Sequence, residues 1–245
     1  MTRKQYFSSG LKDGMPICFG YFAVSFAFGI QAAGIGLSVF EASVLSALNV
    51  TSAGQFAALA IIASGASLIE LAFTQLIINL RYFLMSCALS QKLSPSLPLG
   101  HRLGIAYGMT DEIFAVSVSQ REPLSPFYSY GLIAVAIPGW VLGTALGAAA
   151  GNILPAVLTN ALGIAIYGMF IAIILPPAKE NRVVAGVVVL SMALSALFTY
   201  LPVLCNISSG FRIIVITLIT AGGAALLFPI PDEPAEPEKE MPHEG

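Results

Sequence analysis

Charged residues are missing from stretches of this chain long enough to cross a lipid bilayer, and that spacing limits the possible folds more than any other feature. A membrane helix needs about 20 mostly apolar residues. No charge occurs in residues 14–40, 42–69, 123–178, 183–211 or 213–231. The 56-residue gap at 123–178 holds two crossings, with Gly151, Asn152 and Pro155 supplying a turn between them. Only 10% of the 245 residues are charged, and the mean hydropathy is +0.85. A soluble domain carries roughly 25% charged residues. So few charges cannot cover a soluble surface of this size. No repeated ten-residue alternation of apolar and polar residues is present, which excludes a strand barrel.

The expected helices are 14–35, 42–63, 67–90, 103–120, 128–150, 156–176, 183–201 and 211–229. The expected fold is therefore an all-α polytopic membrane protein, a bundle of seven or eight transmembrane helices. Segment 103–120 is short and contains Asp111 and Glu112, and it decides between seven and eight. The formal net charge of −2 hides two populations. Residues 1–230 carry ten Lys/Arg and seven Asp/Glu, whereas 231–245 carry six acids and Lys239. No basic patch suited to nucleic acid exists. Residues 1–13 read as a basic cytoplasmic N-terminus, 14–230 as the transmembrane domain, and 231–245 as an acidic, Pro-rich disordered tail. The apolar stretch after Lys12 runs past 20 residues without an A-x-A end, so no cleaved signal peptide is expected. With eight spans and a cytoplasmic N-terminus, Arg3, Lys4, Lys12, Arg121, Lys179 and Arg182 fall inside. Lys92, Arg102 and Arg212 fall outside. That bias favours both termini in the cytoplasm.

Thirteen of the seventeen charges in residues 1–230 occupy termini, connections or span ends. Glu70, Arg81, Asp111 and Glu112 lie within the expected helices. A charge at membrane depth costs at least about 2.5–3.5 kcal/mol, so such residues normally have a partner or a task. Segment centres place Asn79, Arg81, Asp111 and Glu112 near the midplane, together with the polar run Asn49-Val50-Thr51-Ser52-Ala53-Gly54-Gln55. Pro138-Gly139 falls at the same depth. Arg81 is expected to pair with Asp111 or Glu112, leaving the other carboxylate to bind a proton or an ammonium. Burial raises a carboxyl pKa, which suits such a role. The plainer alternative is a salt bridge that only locks two helices together. Glu70 lies about one turn into its helix, where an acid suits the positive helix end.

The run from Asn49 to Gln55 has two readings of equal weight. In one, the helix is broken and offers free backbone groups to a substrate. In the other, the helix is intact and its polar side chains bond to their own backbone or to a neighbour. Gly139, Gly143, Gly147 and Gly151 recur every four residues and form a small-residue ridge for close helix packing. Pro138 is a candidate kink. There is no G-x-x-x-x-G-K-[ST], so ATP is not bound here through a P-loop. There is no H-E-x-x-H either. His101 lies in a connection and His243 in the tail. Cys18, Cys87 and Cys205 are scattered and read as small buried hydrophobes rather than ligands or a disulfide framework. No nucleophile with a partner base lies at depth, so no enzyme, metal or cofactor is expected.

Several ordered motifs resemble the AzlC family of branched-chain amino acid exporters. They are Gly14-Met15-Pro16-Ile17-Cys18-Phe19-Gly20-Tyr21, Phe26-Ala27-Phe28-Gly29, Gly36-Leu37-Ser38 with Glu41-Ala42, and Ala53-Gly54-Gln55-Phe56-Ala57. Ile78-Asn79-Leu80-Arg81-Tyr82-Phe83, Thr110-Asp111-Glu112-Ile113-Phe114 and the Trp140 to Gly151 region continue the match. The family's Asn-Leu-Arg motif falls on Asn79, Leu80 and Arg81. Its Thr-Asp-Glu motif falls on Thr110, Asp111 and Glu112. Where many relatives carry an Asp-Phe pair, this chain reads Leu162-Gly163-Ile164-Ala165-Ile166-Tyr167-Gly168.

The resemblance implies a secondary transporter in the bacterial plasma membrane, working with a small AzlD-type membrane subunit and exporting branched-chain and similar apolar amino acids, with a proton as the expected coupling ion. Its expected binding or coupling residues are Arg81, Asp111, Glu112, Asn79, Asn49, Thr51, Ser52, Gly54 and Gln55. Phe56 and Phe114 are expected to border the substrate side chain. Two alternatives stand beside it: a membrane scaffold whose partner holds the substrate path, and an exporter of another small metabolite.

Overall fold

The computed structural model describes residues 2–120, 123–151, 153, 171, 174–202, 204 and 206–229. Every regular element among them is helical: α1 (Arg3–Gly34), α2 (Val39–Leu48), α3 (Ala53–Ala63), α4 (Leu68–Gln91), α5 (Leu99–Tyr107), α6 (Asp111–Val118), α7 (Pro126–Gly151), α8 (Arg182–Tyr200), α9 (Ser209–Thr217) and α10 (Gly223–Leu227). A π turn at Leu218–Gly222 joins the last two into one continuous stretch. Among the described residues, five helical stretches are long and apolar enough to cross a membrane: α1, α4, α7, α8 and Ser209–Leu227. The all-α polytopic fold is thus the observed one. Most of the segment expected at 156–176, including Leu162–Gly168, and the acidic tail lie outside the described residues.

Three boundaries depart from expectation. Helix α1 begins at Arg3, so the basic N-terminus is its first turns rather than a separate segment. Thr2 caps it, and the side chains of Thr2 and Gln5 satisfy each other's backbone N–H groups. Segment 42–63 is broken. Helix α2 stops at Asn49, and α3 starts after Ser52, whose φ of 48° is rare for a residue with a side chain. The Thr51 hydroxyl donates to Asn49 Oδ1 at 2.7 Å, a local bond that competes with helix continuation. Segment 103–120 is broken too, at Gly108–Thr110. Thr110 caps α6, its Oγ1 accepting from Ile113 N at 3.3 Å, and Asp111 and Glu112 fill the first turn, where acids suit the helix dipole. His101 lies within α5 and bonds the Tyr130 hydroxyl at 2.8 Å.

The glycine ridge of α7 is buried against α1. A Cβ at Gly139 would stand 2.5 Å from Cys18 Sγ, one at Gly143 2.5 Å from Phe22 O, and one at Gly151 3.2 Å from Ile30 Cα. At Gly147 it would collide with Phe26 O, and at Gly131 with Phe7 O. Glycines of α1 return the contact: Gly10 meets Tyr128 O, and Gly14 meets Leu132 and Val135. Partners advance together along both helices, so α1 and α7 run parallel. Helix α7 is continuous through Pro138.

Parallel spans must be separated by an odd number of crossings. Between α1 and α7 lie α4 and the two broken segments. The broken segments therefore both cross or both turn back. Helix α4 ends where α7 begins, Leu124 N donating to Lys92 O, and both ends of the α5–α6 segment meet that end of α4: Arg102 Nη2 donates to Ser94 O and Lys92 Nζ to Val118 O. Both broken segments therefore turn back at the cavity, and α7 is the third span.

This packing predicts that Gly147→Ala lowers stability by about 1–3 kcal/mol through overpacking. Gly186 has open space around its α-carbon, so Gly186→Ala serves as the control. Thermal melts in detergent should show a lower Tm for the first variant only.

Candidate functional site

Both helix breaks open onto one cavity of about 640 Å³. That lies within the roughly 300–1,000 Å³ typical of small-molecule sites. Tyr21, Arg81 and Trp140, near the middles of α1, α4 and α7, stand on its wall. Thr51, Ser52 and Ala53 come from the first break, and Thr110, Asp111 and Glu112 from the second. Apolar wall is supplied by Pro16, Ile17, Val24 and Val50.

The charged centre is tied across three helices. Arg81 Nη1 lies 2.9 Å from Asp111 Oδ2, and both side chains are about 40% exposed, with 40% and 41% respectively. The expected ion pair therefore forms with Asp111. Arg81 Nη2 donates to the Tyr82 hydroxyl at 2.9 Å, and that hydroxyl donates to Thr51 O at 3.3 Å. The guanidinium also lies 4.8 Å from the Tyr82 ring centroid, a cation–π contact. Arg81 Nε is buried with no partner among the described residues. Glu112 is the carboxylate left over: its Oε2 accepts from the Tyr21 hydroxyl at 2.6 Å. That hydroxyl also shares a hydrogen bond with the Thr110 hydroxyl. No side chain caps α3, since Ser52 makes no cap bond, and the start of that helix faces the cavity.

Of the residues expected to bind or couple, Thr51, Ser52, Arg81, Asp111 and Glu112 line the cavity. Asn49, Gly54, Gln55 and Asn79 stand behind its wall. Gln75 organises three of them. Its Oε1 accepts from Asn49 Nδ2 and from Asn79 Nδ2, each at 3.2 Å, and its Nε2 donates to Gly54 O at 2.8 Å. The Oδ1 of Asn79 is buried without a partner. Gly54 is required here: a Cβ would meet Thr51 Oγ1 at 2.5 Å, Gln75 Oε1 at 2.9 Å and Asn79 Oδ1 at 3.0 Å.

Gln55 is fully buried and faces away from the cavity. Its Oε1 accepts from Trp140 Nε1 at 2.7 Å, and its Nε2 donates to Ser46 Oγ at 2.9 Å. Ser46 then bonds Thr144 at 2.6 Å. This chain fastens both halves of the broken helix to α7.

Other expectations are corrected. Phe56 packs on Phe28, with ring centroids 5.4 Å apart, and Phe114 packs in the core around Ile113 and Tyr128, so neither borders the cavity. Cys87 is exposed on α4 and not buried, whereas Cys18 packs against Gly139; both are free thiols, and Cys205 lies outside the described residues. Glu70 sits apart from the cavity. Sequence reasoning missed Tyr21, Gln75, Tyr82 and Trp140. Tyr82 follows Arg81 directly, and Gln75 precedes Asn79 by one helical turn, but nothing local told Tyr21 to meet Glu112.

The molecule is a polytopic membrane protein whose broken helices meet at a charged, partly apolar cavity midway along its spans. Residues 16–154 match the family described as AzlC protein. The chain belongs to the AzlC family, a membrane transport-associated family. An "Uncharacterized membrane protein" of Archaeoglobus fulgidus is 35% identical over 189 residues, covering 76% of this chain and 83% of that protein. "Inner membrane protein YgaZ" of Escherichia coli is 32% identical over 203 residues, covering 79% and 82%. No solved structure matches.

Removing the Gln55 amide should strand Trp140 Nε1 and Ser46. Leaving buried groups unpaired costs about 1–3 kcal/mol. Gln55→Leu should lower Tm accordingly. Trp140 is the single tryptophan, so its emission should shift to the blue when its N–H loses a polar partner. An unmoved spectrum would count against the network.

Proposed function

We propose that this protein exports branched-chain and similar apolar amino acids across the bacterial plasma membrane, with a proton as the coupling ion. The observation that carries the reading is the Arg81–Asp111 pair exposed to a cavity with an apolar wall. A zwitterion is the charge complement of that pair. Its carboxylate replaces Asp111 on Arg81, and its ammonium replaces Arg81 on Asp111. Neither charge is then left without a partner. The uncapped start of α3 adds a second attraction for the carboxylate. Ile17, Val24 and Val50, with the Tyr21 and Trp140 rings, form the apolar side-chain subsite.

Glu112 does not take part in the Arg81 ion pair and is the coupling group in this scheme. It receives a proton in the outward-facing state and releases it inside, and the Tyr21 hydroxyl steadies it in both states. A scaffold with its substrate path in a partner would pack the interior and would not need such a cavity, so the cavity favours the transport reading. A small AzlD-type membrane subunit completes the assembly. The N-terminus and the tail lie in the cytoplasm. The parallel course of α1 and α7 agrees with this topology, since α1 and the third span both run outward.

Valine or leucine efflux from dipeptide-loaded cells co-expressing the small subunit tests this. Arg81→Ala and Asp111→Asn should each reduce efflux at least tenfold without loss of protein from the membrane. Collapse of the proton gradient should slow wild-type efflux. Tyr21→Phe should leave substrate binding in place but move the pH dependence of efflux. Wild-type efflux by both Arg81→Ala and Asp111→Asn would remove these residues from the site.

A further inference from the structure

A second polar cluster lies where α4 meets the start of α9, away from the transport cavity. Glu70 is only 5% exposed. Its Oε1 accepts from Gly210 N at 2.9 Å. Thr74, one turn further along α4, is completely buried, and its Oγ1 has no hydrogen-bond partner among the described residues. The Oγ atoms of Ser208 and Ser209 are likewise buried and unpartnered. Glu70 Oε1 and Thr74 Oγ1 both converge on Gly210, 2.5 and 2.7 Å from the position its Cβ would take. Gly210 is thus the one residue type that lets the two helices bring these oxygens together. Arg212, further along α9, donates its Nε to Ile207 O at 2.7 Å.

Buried hydroxyls are ordinarily hydrogen-bonded, and an unsatisfied one calls for a partner from outside the chain. Thr74 Oγ1 beside the buried Glu70 carboxylate, with Ser208 and Ser209 directly preceding Gly210 in the chain, makes an oxygen-only donor set. Hard cations take such ligands. A single carboxylate balances a single positive charge, whereas a divalent ion would leave a net charge in apolar surroundings.

We propose that Glu70, Thr74, Ser208 and Ser209 form a binding site for a monovalent cation of sodium size, which fastens the start of α9 to α4. The site is independent of the transport reading and uses none of its residues. Its expected occupancy is structural: the ion bridges an α4 carboxylate to the serine pair that opens the C-terminal span.

Thermal melts of the purified full-length protein in nanodiscs test the site, in sodium chloride against choline chloride at equal ionic strength. The wild-type Tm should rise saturably with sodium. Glu70→Gln keeps an oxygen for Gly210 N and the same side-chain shape, and it should abolish the rise. Thr74→Val removes only the hydroxyl and should raise the half-saturating sodium concentration at least tenfold. Potassium should act more weakly than sodium. Equal wild-type Tm in the two salts would overturn the proposal and assign the hydroxyls to buried water alone. A sodium response that survives in both variants would overturn the assignment to these residues.

Discussion

The close parallel packing of α1 on α7 is the constraint on which the remaining structure rests. Without a hydrophobic drive between helices in lipid, association depends on van der Waals contact, which small residues allow. Glycine on one helix meets backbone on the other from Gly10 and Gly131 at one end to Gly151 and Ile30 at the opposite end. This contact fixes Tyr21 and Trp140 side by side, their rings 5.2 Å apart and edge to face. It also sets the direction of α7, which requires the two broken segments to behave alike, and both turn back at the cavity. One wall of the cavity is therefore rigid before any charged residue is placed.

The opposite wall is built from polar groups and depends on the two helix breaks. A broken helix inside a membrane must resatisfy its freed backbone groups from within the protein. Gln75 does this for Gly54 O, and Tyr82 for Thr51 O. The Gln55–Ser46–Thr144 chain joins the first break to the rigid wall. Arg81 and Tyr21 then join both walls to the second break through Asp111 and Glu112. The strained φ of Ser52 sits where these ties converge. Such strain persists when the surroundings over-determine it, and it clusters at functional sites.

Much of this was legible in the sequence for identifiable reasons. The four-residue glycine spacing announced the α7 ridge because one helical turn puts those residues on one face. The cost of charge at membrane depth singled out Arg81, Asp111 and Glu112 before any contact was known. The second break was less legible. Gly108-Met109-Thr110-Asp111-Glu112 carries a helix stop followed by a cap and first-turn acids, yet hydropathy averaged it into one span. Gln55 looked like a substrate ligand because it shares a polar run with Thr51 and Ser52. Helical rotation takes its side chain to the far side, where it meets Trp140. Phe56 turns away with it.

The sequence alone determined that this is a membrane-spanning helical protein and which charges had to find partners, because apolar length and the cost of buried charge are local properties. Only the tertiary structure decided which carboxylate pairs with Arg81. It also brought Tyr21 to Glu112 and placed Glu70 against the start of α9. Those contacts join residues 30 to 140 positions apart, and nothing in local spacing encodes which face of one helix will meet another. Glycine contacts between α1 and α7 made that choice for the cavity, and Gly210 made it for Glu70.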